Sequence, residues 1–260
     1  MRPLVYAHRG GAGLAPENTL AAFDAGLAAG ADGIELDVRL SLDGVAVAMH
    51  DPTLDRTTDA TGPVDARTAG ELAALDAGYH FSLGSAHPFR GRGIGVPSLA
   101  SVLGRYRGTA ILIELKSPDP RLARAVVDDI HAAGATGRVT VGSFQKGALD
   151  AVRAIDPALP TGADTDDVRN GIEAAQGGGV AVKPAFAVFQ VPEVHNGVRV
   201  VTPEFIARAH GAGLEVVVWT VNHEDDMRRL LDWGVDGLIT DRPDIAVPLV
   251  RDWCARAGER

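Results

Sequence analysis

The chain has 260 residues, 46% of them hydrophobic, and its 34 acidic against 25 basic side chains give a formal net charge of −9. That is enough chain to bury a full core, and the acidic balance excludes binding to nucleic acid through a broad basic surface. A single cysteine, Cys254, excludes an internal disulfide framework and fits a reducing compartment.

The N-terminal run Leu4 to Ala7 is too short for a signal-peptide core, and no apolar stretch approaches transmembrane length. The expectation is a cytoplasmic protein with no stable membrane anchoring. Onward from Leu4, short apolar runs alternate with helical patterns. Strands are expected at Leu4–His8, Gly33–Arg39, Ala110–Lys116, Val139–Gly142, Leu159–Gly162, Ala187–Val191, Glu215–Thr220 and Gly237–Thr240. Helices are expected at Thr19–Ala29, Ser98–Tyr106, Pro120–Ala133, Lys146–Ile155, Pro203–Ala212 and Glu224–Trp233, with a weaker pattern over Asp166–Gln176. Ala29-Gly30, Gly211-Ala212-Gly213 and Trp233-Gly234 supply C-terminal stops. Eight strand–helix units in this length imply an α/β fold, a single (β/α)8 TIM barrel over residues 1–260.

Two stretches depart from the alternation. Asp43-Gly44 reads as a hairpin turn into Val45–Met49, after which residues 51–97 form a long, polar, Gly-rich excursion. A loop of that length is functional or a small subdomain, here an insertion after the second strand. Pro192–Val200 is a shorter loop containing His195 and Asn196.

The chemistry concentrates at strand ends, where barrels of this kind keep their reactive groups. Alternation along Gly33–Arg39 puts Glu35, Asp37 and Arg39 on one face and Ile34, Leu36 and Val38 on the other. Two carboxylates side by side on an inner face repel each other and resist desolvation, so they need compensation. His8-Arg9 ends the first strand, Glu114 and Lys116 share a face at the end of the third, and His50 ends the hairpin. Three carboxylates, Glu35, Asp37 and Glu114, suit a hard divalent cation, Mg²⁺ or Ca²⁺, rather than zinc. Arg9 and Lys116 offer donors for phosphate oxygens, and His8 and His50 can divide general acid and base work. Together these parts describe metal-assisted displacement at phosphorus.

The sequence resembles the glycerophosphodiester phosphodiesterases. The matching pieces are His8-Arg9-Gly10, Pro16-Glu17-Asn18-Thr19, the run Gly30 to Val38, Asp43-Gly44, His50-Asp51, Arg56-Thr57-Thr58, Ile113-Glu114-Leu115-Lys116, Ser143-Phe144, Trp219-Thr220-Val221-Asn222 and Gly237 to Asp241, in family order over nearly the whole chain. Leu40-Ser41-Leu42 departs from the family pattern, where a threonine is common, at a place on which no catalytic position depends. The resemblance implies that Glu35, Asp37 and Glu114 hold the metal, that His8 and His50 form the acid/base pair, and that Arg9 and Lys116 bind phosphate. It puts Trp219 near the glycerol moiety, although filling the top layer of the barrel explains that residue equally well. The implied reaction is hydrolysis of a small-molecule glycerophosphodiester to glycerol 3-phosphate and an alcohol. A lysophospholipase D acting on lipids and a silent barrel that only binds phosphodiesters are the rival readings; a bacterial phosphoinositide-specific phospholipase C would typically lack the three carboxylates.

Other residues read as structural. His131, His210 and His223 fall on helix surfaces, and His80, His87 and His195 in loops. Asp241 and Asn222 read as helix caps, Glu17 and Asn18 as braces for the loop before the first helix, and Gln190 is unassigned. The sequence assigns no oligomeric state.

Overall fold

A computed structural model describes residues 2–177 and 184–258. Among the described residues ten strands form, β1 (Leu4–Ala7), β2 (Gly33–Leu40), β3 (Ala46–Ala48), β4 (Ala110–Leu115), β5 (Val139–Gly142), β6 (Val188–Pro192), β7 (Val194–His195), β8 (Val198–Arg199), β9 (Glu215–Trp219) and β10 (Gly237–Thr240). Seven of them pair in parallel in the order β5-β4-β2-β1-β10-β9-β6. The eighth place holds only a short bridge: Thr161 pairs with Val141 of β5 and Gly162 with Val188 of β6, both in parallel. The expected strand at Leu159–Gly162 shrinks to this because Pro160 has no N–H to give a ladder and Asp164 already caps the next helix. These two residues bring β5 and β6 together and complete the ring.

The helices are α1 (Leu20–Ala28), α2 (Ala69–Ala73), α3 (Leu99–Arg105), α4 (Pro120–Ala132), α5 (Lys146–Ile155), α6 (Thr165–Ala175), α7 (Pro203–Gly211), α8 (Glu224–Trp233) and α9 (Pro243–Gly258). Their starts are written into the sequence. Thr19, Ser98 and Thr202 accept the N–H three residues on, and Pro120 and Pro203 occupy the first helical turn. Gly234 stops α8 in the left-handed conformation, φ 94°.

Two apolar layers lie between sheet and helices. One gathers Ile34, Leu36 and Val38 of β2 with Phe23, Leu103, Val126 and Leu149 from α1, α3, α4 and α5. The other joins Val216 and Val218 of β9 to Phe205, Leu230 and Val250 from α7, α8 and α9. Inside the ring, Tyr6, Leu112, Val188, Val217 and Ile239 form the layer on which the mouth rests.

Three local features refine the sequence reading. β2 runs past its barrel partners to Leu40 and pairs antiparallel with β3 through the Asp43-Gly44 turn, Gly44 at φ 77°. Residues 51–97 contain the five-residue α2 and fold over a small cluster of Val47, Met49, Leu54, Val64, Leu72, Ala77 and Val96. The Pro192–Val200 stretch is not a plain loop: β7 and β8 form a hairpin whose turn residues Asn196 and Gly197 have φ 48° and 78°. The Asn-Gly pair is the signature of such a turn.

Candidate active site

Because β1, β2 and β4 are neighbours in the ring, their C-terminal ends bring the charged groups together. In register, Asp37 lies opposite Glu114, and Glu114 opposite Gly142 of β5. Glu35, Asp37 and Glu114 each offer an oxygen, and the three oxygens lie within 4.8 Å of one another. Glu35 is 6% exposed and Asp37 1%.

The loop after β1 is shaped around these carboxylates. Arg9 sits in the left-handed region, φ 49°, and its backbone N–H donates to Glu35 Oε2 at 2.9 Å. Asn18, also left-handed at φ 56°, donates from Nδ2 to Asp37 Oδ2 at 2.9 Å and accepts the Asp37 N–H at 3.2 Å. Non-glycine residues held at positive φ are strained, and such strain collects at functional sites. The Asn18 N–H donates to the Arg9 carbonyl, so the two strained residues brace each other. Gly10 follows because a Cβ there would meet Phe23 of α1 at 2.6 Å.

The cations divide unevenly among the acids. Arg9 Nε is 3.1 Å from Asp37 Oδ2, while its Nη1 donates to Glu17 at 2.8 Å. Lys116 Nζ donates to Glu114 Oε1 at 2.7 Å and lies 3.5 Å from Asp37 Oδ1. Burial works against the charge of Asp37, but Arg9 and Lys116 outweigh it and hold the carboxyl below its usual range. Among the described residues Glu35 has no Lys or Arg in salt-bridge contact, and burial together with Asp37 drives its pKa well above the usual carboxylate value. Burial raises Glu114 as well. Arg39 does not neutralise the pair; its Nε donates to the His50 carbonyl at 2.8 Å. Three carboxylates against two cations, one shared with Glu17, form a set of hard oxygen donors with negative charge to spare. A hard divalent cation fits it.

Each of the two histidines is held by a carboxylate. His8 Nδ1 is 2.7 Å from Asp241 Oδ1, and His50 Nδ1 is 2.6 Å from Asp51 Oδ1. An ionised carboxylate only accepts, so Nδ1 carries the proton in both rings and Nε2 is left free. His8 Nε2 is 3.9 Å from Glu35 Oε2. Burial opposes the charged His8 ring, yet Asp241 and Glu35 raise its pKa above the ordinary imidazole value. At His50, burial prevails over Asp51, and the pKa falls.

Several residues that read as structural in the sequence belong to this network. Asp241 is no simple cap: besides His8 it accepts from Asn222 Nδ2 at 2.7 Å, and its N–H donates to Asn222 Oδ1 at 2.9 Å. Glu17 accepts from Arg9 and from both Nη atoms of Arg56, whose Nε reaches Asp51 at 2.6 Å. An ionic chain thus runs from Arg9 to His50. Asp241 was findable by the rule that found Glu35, since it follows β10, the strand beside β1. Asn18 and Arg56 carried no such signal.

These groups line one side of a cavity of about 660 Å³ at the mouth of the ring. His8, Arg9, Glu35, His50, Glu114 and Lys116 stand on that side. The lining also includes Phe144, whose ring lies 5.8 Å from Lys116 Nζ, together with Gln190 and Trp219, Val168 and Ile172 of α6, and His195 and Val198 of the hairpin. Trp219 meets Phe144 edge-on, with centroids 5.6 Å apart. His131 and His210 pair on the surface with Asp156 and Asp236, each at 2.8 Å, away from the cavity.

A closed parallel ring with a cavity at its C-terminal mouth, walled by acids, cations and two oriented histidines, defines a (β/α)8 enzyme of the phosphoric diester hydrolase class. The model of the glycerophosphoryl diester phosphodiesterase family matches residues 8–245. A glycerophosphodiester phosphodiesterase of Caldanaerobacter subterraneus subsp. tengcongensis is 35% identical, covering 96% of this chain and 99% of its own. The crystal structure of an Agrobacterium tumefaciens glycerophosphodiester phosphodiesterase superposes with a TM-score of 0.76 at 32% identity, covering 94% of this chain and 98% of that one. An Oleispira antarctica phosphodiesterase solved in complex with the product sn-glycerol-3-phosphate gives a TM-score of 0.77 at 25% identity, covering 96% and 97%. The chain belongs to the glycerophosphoryl diester phosphodiesterase family.

Proposed function

We propose that the protein hydrolyses glycerophosphodiesters to glycerol 3-phosphate and an alcohol, using a divalent cation, Mg²⁺ or Ca²⁺, held by Glu35, Asp37 and Glu114. The observation that carries this reading is the set of three carboxylates whose oxygens lie within 4.8 Å of one another, two of them, Glu35 and Glu114, lining a cavity that also presents His8, His50, Arg9 and Lys116. The relative solved with sn-glycerol-3-phosphate supports the product.

When bound, the cation would polarise the phosphoryl oxygen and offset charge at phosphorus. Arg9 and Lys116 bind and orient the phosphate, and their charges are already fixed by Glu17, Asp37 and Glu114. The free Nε2 atoms of His8 and His50 handle the two proton transfers: one ring takes the proton of the attacking oxygen, the other protonates the leaving alkoxide. Trp219 closes the glycerol side of the site. Residues 51–97 act as an insertion within one catalytic domain, and through Asp51 and Arg56 they hold His50 in place.

The test is release of glycerol 3-phosphate from glycerophosphocholine, first with EDTA and then with Mg²⁺ or Ca²⁺ restored, beside Glu35→Ala. Activity removed by EDTA, restored by one metal and absent from the variant is the expected outcome; activity indifferent to EDTA overturns the metal assignment. A second reading, hydrolysis of lysophospholipids, is favoured by the exposed Phe144, Val194 and Val198 beside the mouth. Turnover of lysophosphatidylcholine in preference to glycerophosphocholine would select it.

A further inference from the structure

Gln190 stands apart from the groups above. It projects from β6, directly across the ring from β2, and lines the cavity. Its Nε2 is enclosed with no hydrogen-bond partner among the described residues. An orphaned buried donor costs free energy comparable to a lost hydrogen bond, so a fold retains one where a ligand completes it.

The neighbouring strands make room for this amide. A Cβ at Gly142 would lie 2.5 Å from Gln190 Oε1, and one at Gly162 would lie 3.6 Å from the same atom. Neither glycine has a positive φ, so neither is required by backbone conformation. The missing side chains instead open a slot through which Gln190 passes beneath the mouth from β6 to β5. Gly142 is in register with Glu114, which is in register with Asp37. The amide therefore ends on the level of the carboxylate cluster.

The chemistry of the amide narrows its ligand. It carries a donor and an acceptor side by side, and the donor has no hydrogen-bond partner among the described residues. A diester phosphate oxygen only accepts, and Arg9 and Lys116 already serve it. A quaternary ammonium neither donates nor accepts. A hydroxyl does both. We infer that Gln190 is a specificity-determining residue that hydrogen-bonds a hydroxyl of the substrate's glycerol group. This rests on the proposed glycerophosphodiesterase reading and adds the residue that tells glycerol from an alkyl chain. A pocket built to bond a hydroxyl rejects the analogue lacking it, because the amide then stays unpaired.

The test uses binding rather than turnover. Calorimetry with the divalent cation present compares sn-glycerol 3-phosphate with n-propyl phosphate, which has the same charge and carbon count but no hydroxyl. Gln190→Met keeps the volume and removes both polar atoms. The expected result is that this variant lowers the preference for glycerol 3-phosphate by about tenfold or more, while n-propyl phosphate binds as before and the thermal midpoint does not fall. Gly142→Ala, which crowds the Oε1 end of the same side chain, shifts the preference in the same direction. Equal weakening of both phosphates would make Gln190 a packing residue, and an unchanged preference would mean that solvent alone satisfies the amide; either overturns the inference. Failure of the wild-type protein to bind glycerol 3-phosphate would instead overturn the functional reading, and the Gln190 role with it.

Discussion

At the residue scale, the candidate site includes side chains that stand outside the cavity lining. Asp241 fixes the tautomer and direction of His8 and is itself held from two sides by Asn222. Asp241→Asn keeps the shape but replaces an obligate acceptor with a group that can turn its amide to the ring. Turnover of glycerophosphocholine should fall on the order of 10²-fold or more, with the affinity for glycerol 3-phosphate nearly unchanged. A parallel loss of product affinity would show that the carboxylate shapes the pocket instead. Tyr6 makes a different kind of residue-level statement. Burial in the ring, followed by the charges of Glu215 and Asp32, pushes its phenol up to about 12. The fold favours the neutral form, so its contribution is intact below the ordinary tyrosine value of about 10 and is lost as pH climbs towards 12. The full loss is about 2 to 3 kcal/mol. Denaturant unfolding at about pH 9 and about pH 11 should show a smaller drop in stability for Tyr6→Phe than for the wild type.

At the scale of elements, α1 serves as a wall for the loop that carries His8 and Arg9. A Cβ on Gly26 would meet the Gly10 carbonyl oxygen at 2.4 Å and the Ala7 Cβ at 2.6 Å. Gly26→Ala is therefore expected to destabilise by about 1 to 3 kcal/mol through overpacking and to lower activity by displacing the loop. Gly104 of α3 has nothing within 4 Å of its added Cβ, so Gly104→Ala should be neutral or stabilising by up to about 1 kcal/mol. Chemical denaturation of the two variants side by side checks the contrast. The elements also show how much was legible. Period and caps located β2, α4 and α8 because each buries one face against a neighbour along a simple repeat. Leu159–Gly162 looked like a full strand but makes only two bridges, since proline on one side and a helix cap on the other consume its length. The β7–β8 hairpin escaped because both strands are two residues long and exposed, leaving only the Asn-Gly turn as a sign.

At the scale of the whole molecule, the mouth concentrates like charge that the ring alone does not offset. If Glu35, Asp37 and Glu114 hold a cation, binding must stabilise the fold, because the unfolded chain cannot bring the three together. At a hundredfold excess over its Kd the cation should add about 3 kcal/mol, which for a chain of this size raises the thermal midpoint by roughly 5 to 10 °C. Scanning calorimetry with EDTA and with added Mg²⁺ or Ca²⁺ reads this directly. Glu35→Gln should abolish the shift; a shift surviving that change would move the cation elsewhere.

The sequence by itself determined the alternation of strands and helices, the caps that bound them, and the acids, cations and histidines at the ends of neighbouring strands. Those follow from local periodicity and from the rule that reactive groups in a barrel stand where strands end. Only the tertiary structure decided that Asp241 faces His8 across 233 positions of chain, that Arg56 links Glu17 to Asp51, and that Gly142 and Gly162 clear a path for Gln190. Such contacts depend on ring closure, which sets distant segments side by side, and closure is not a property of any one segment.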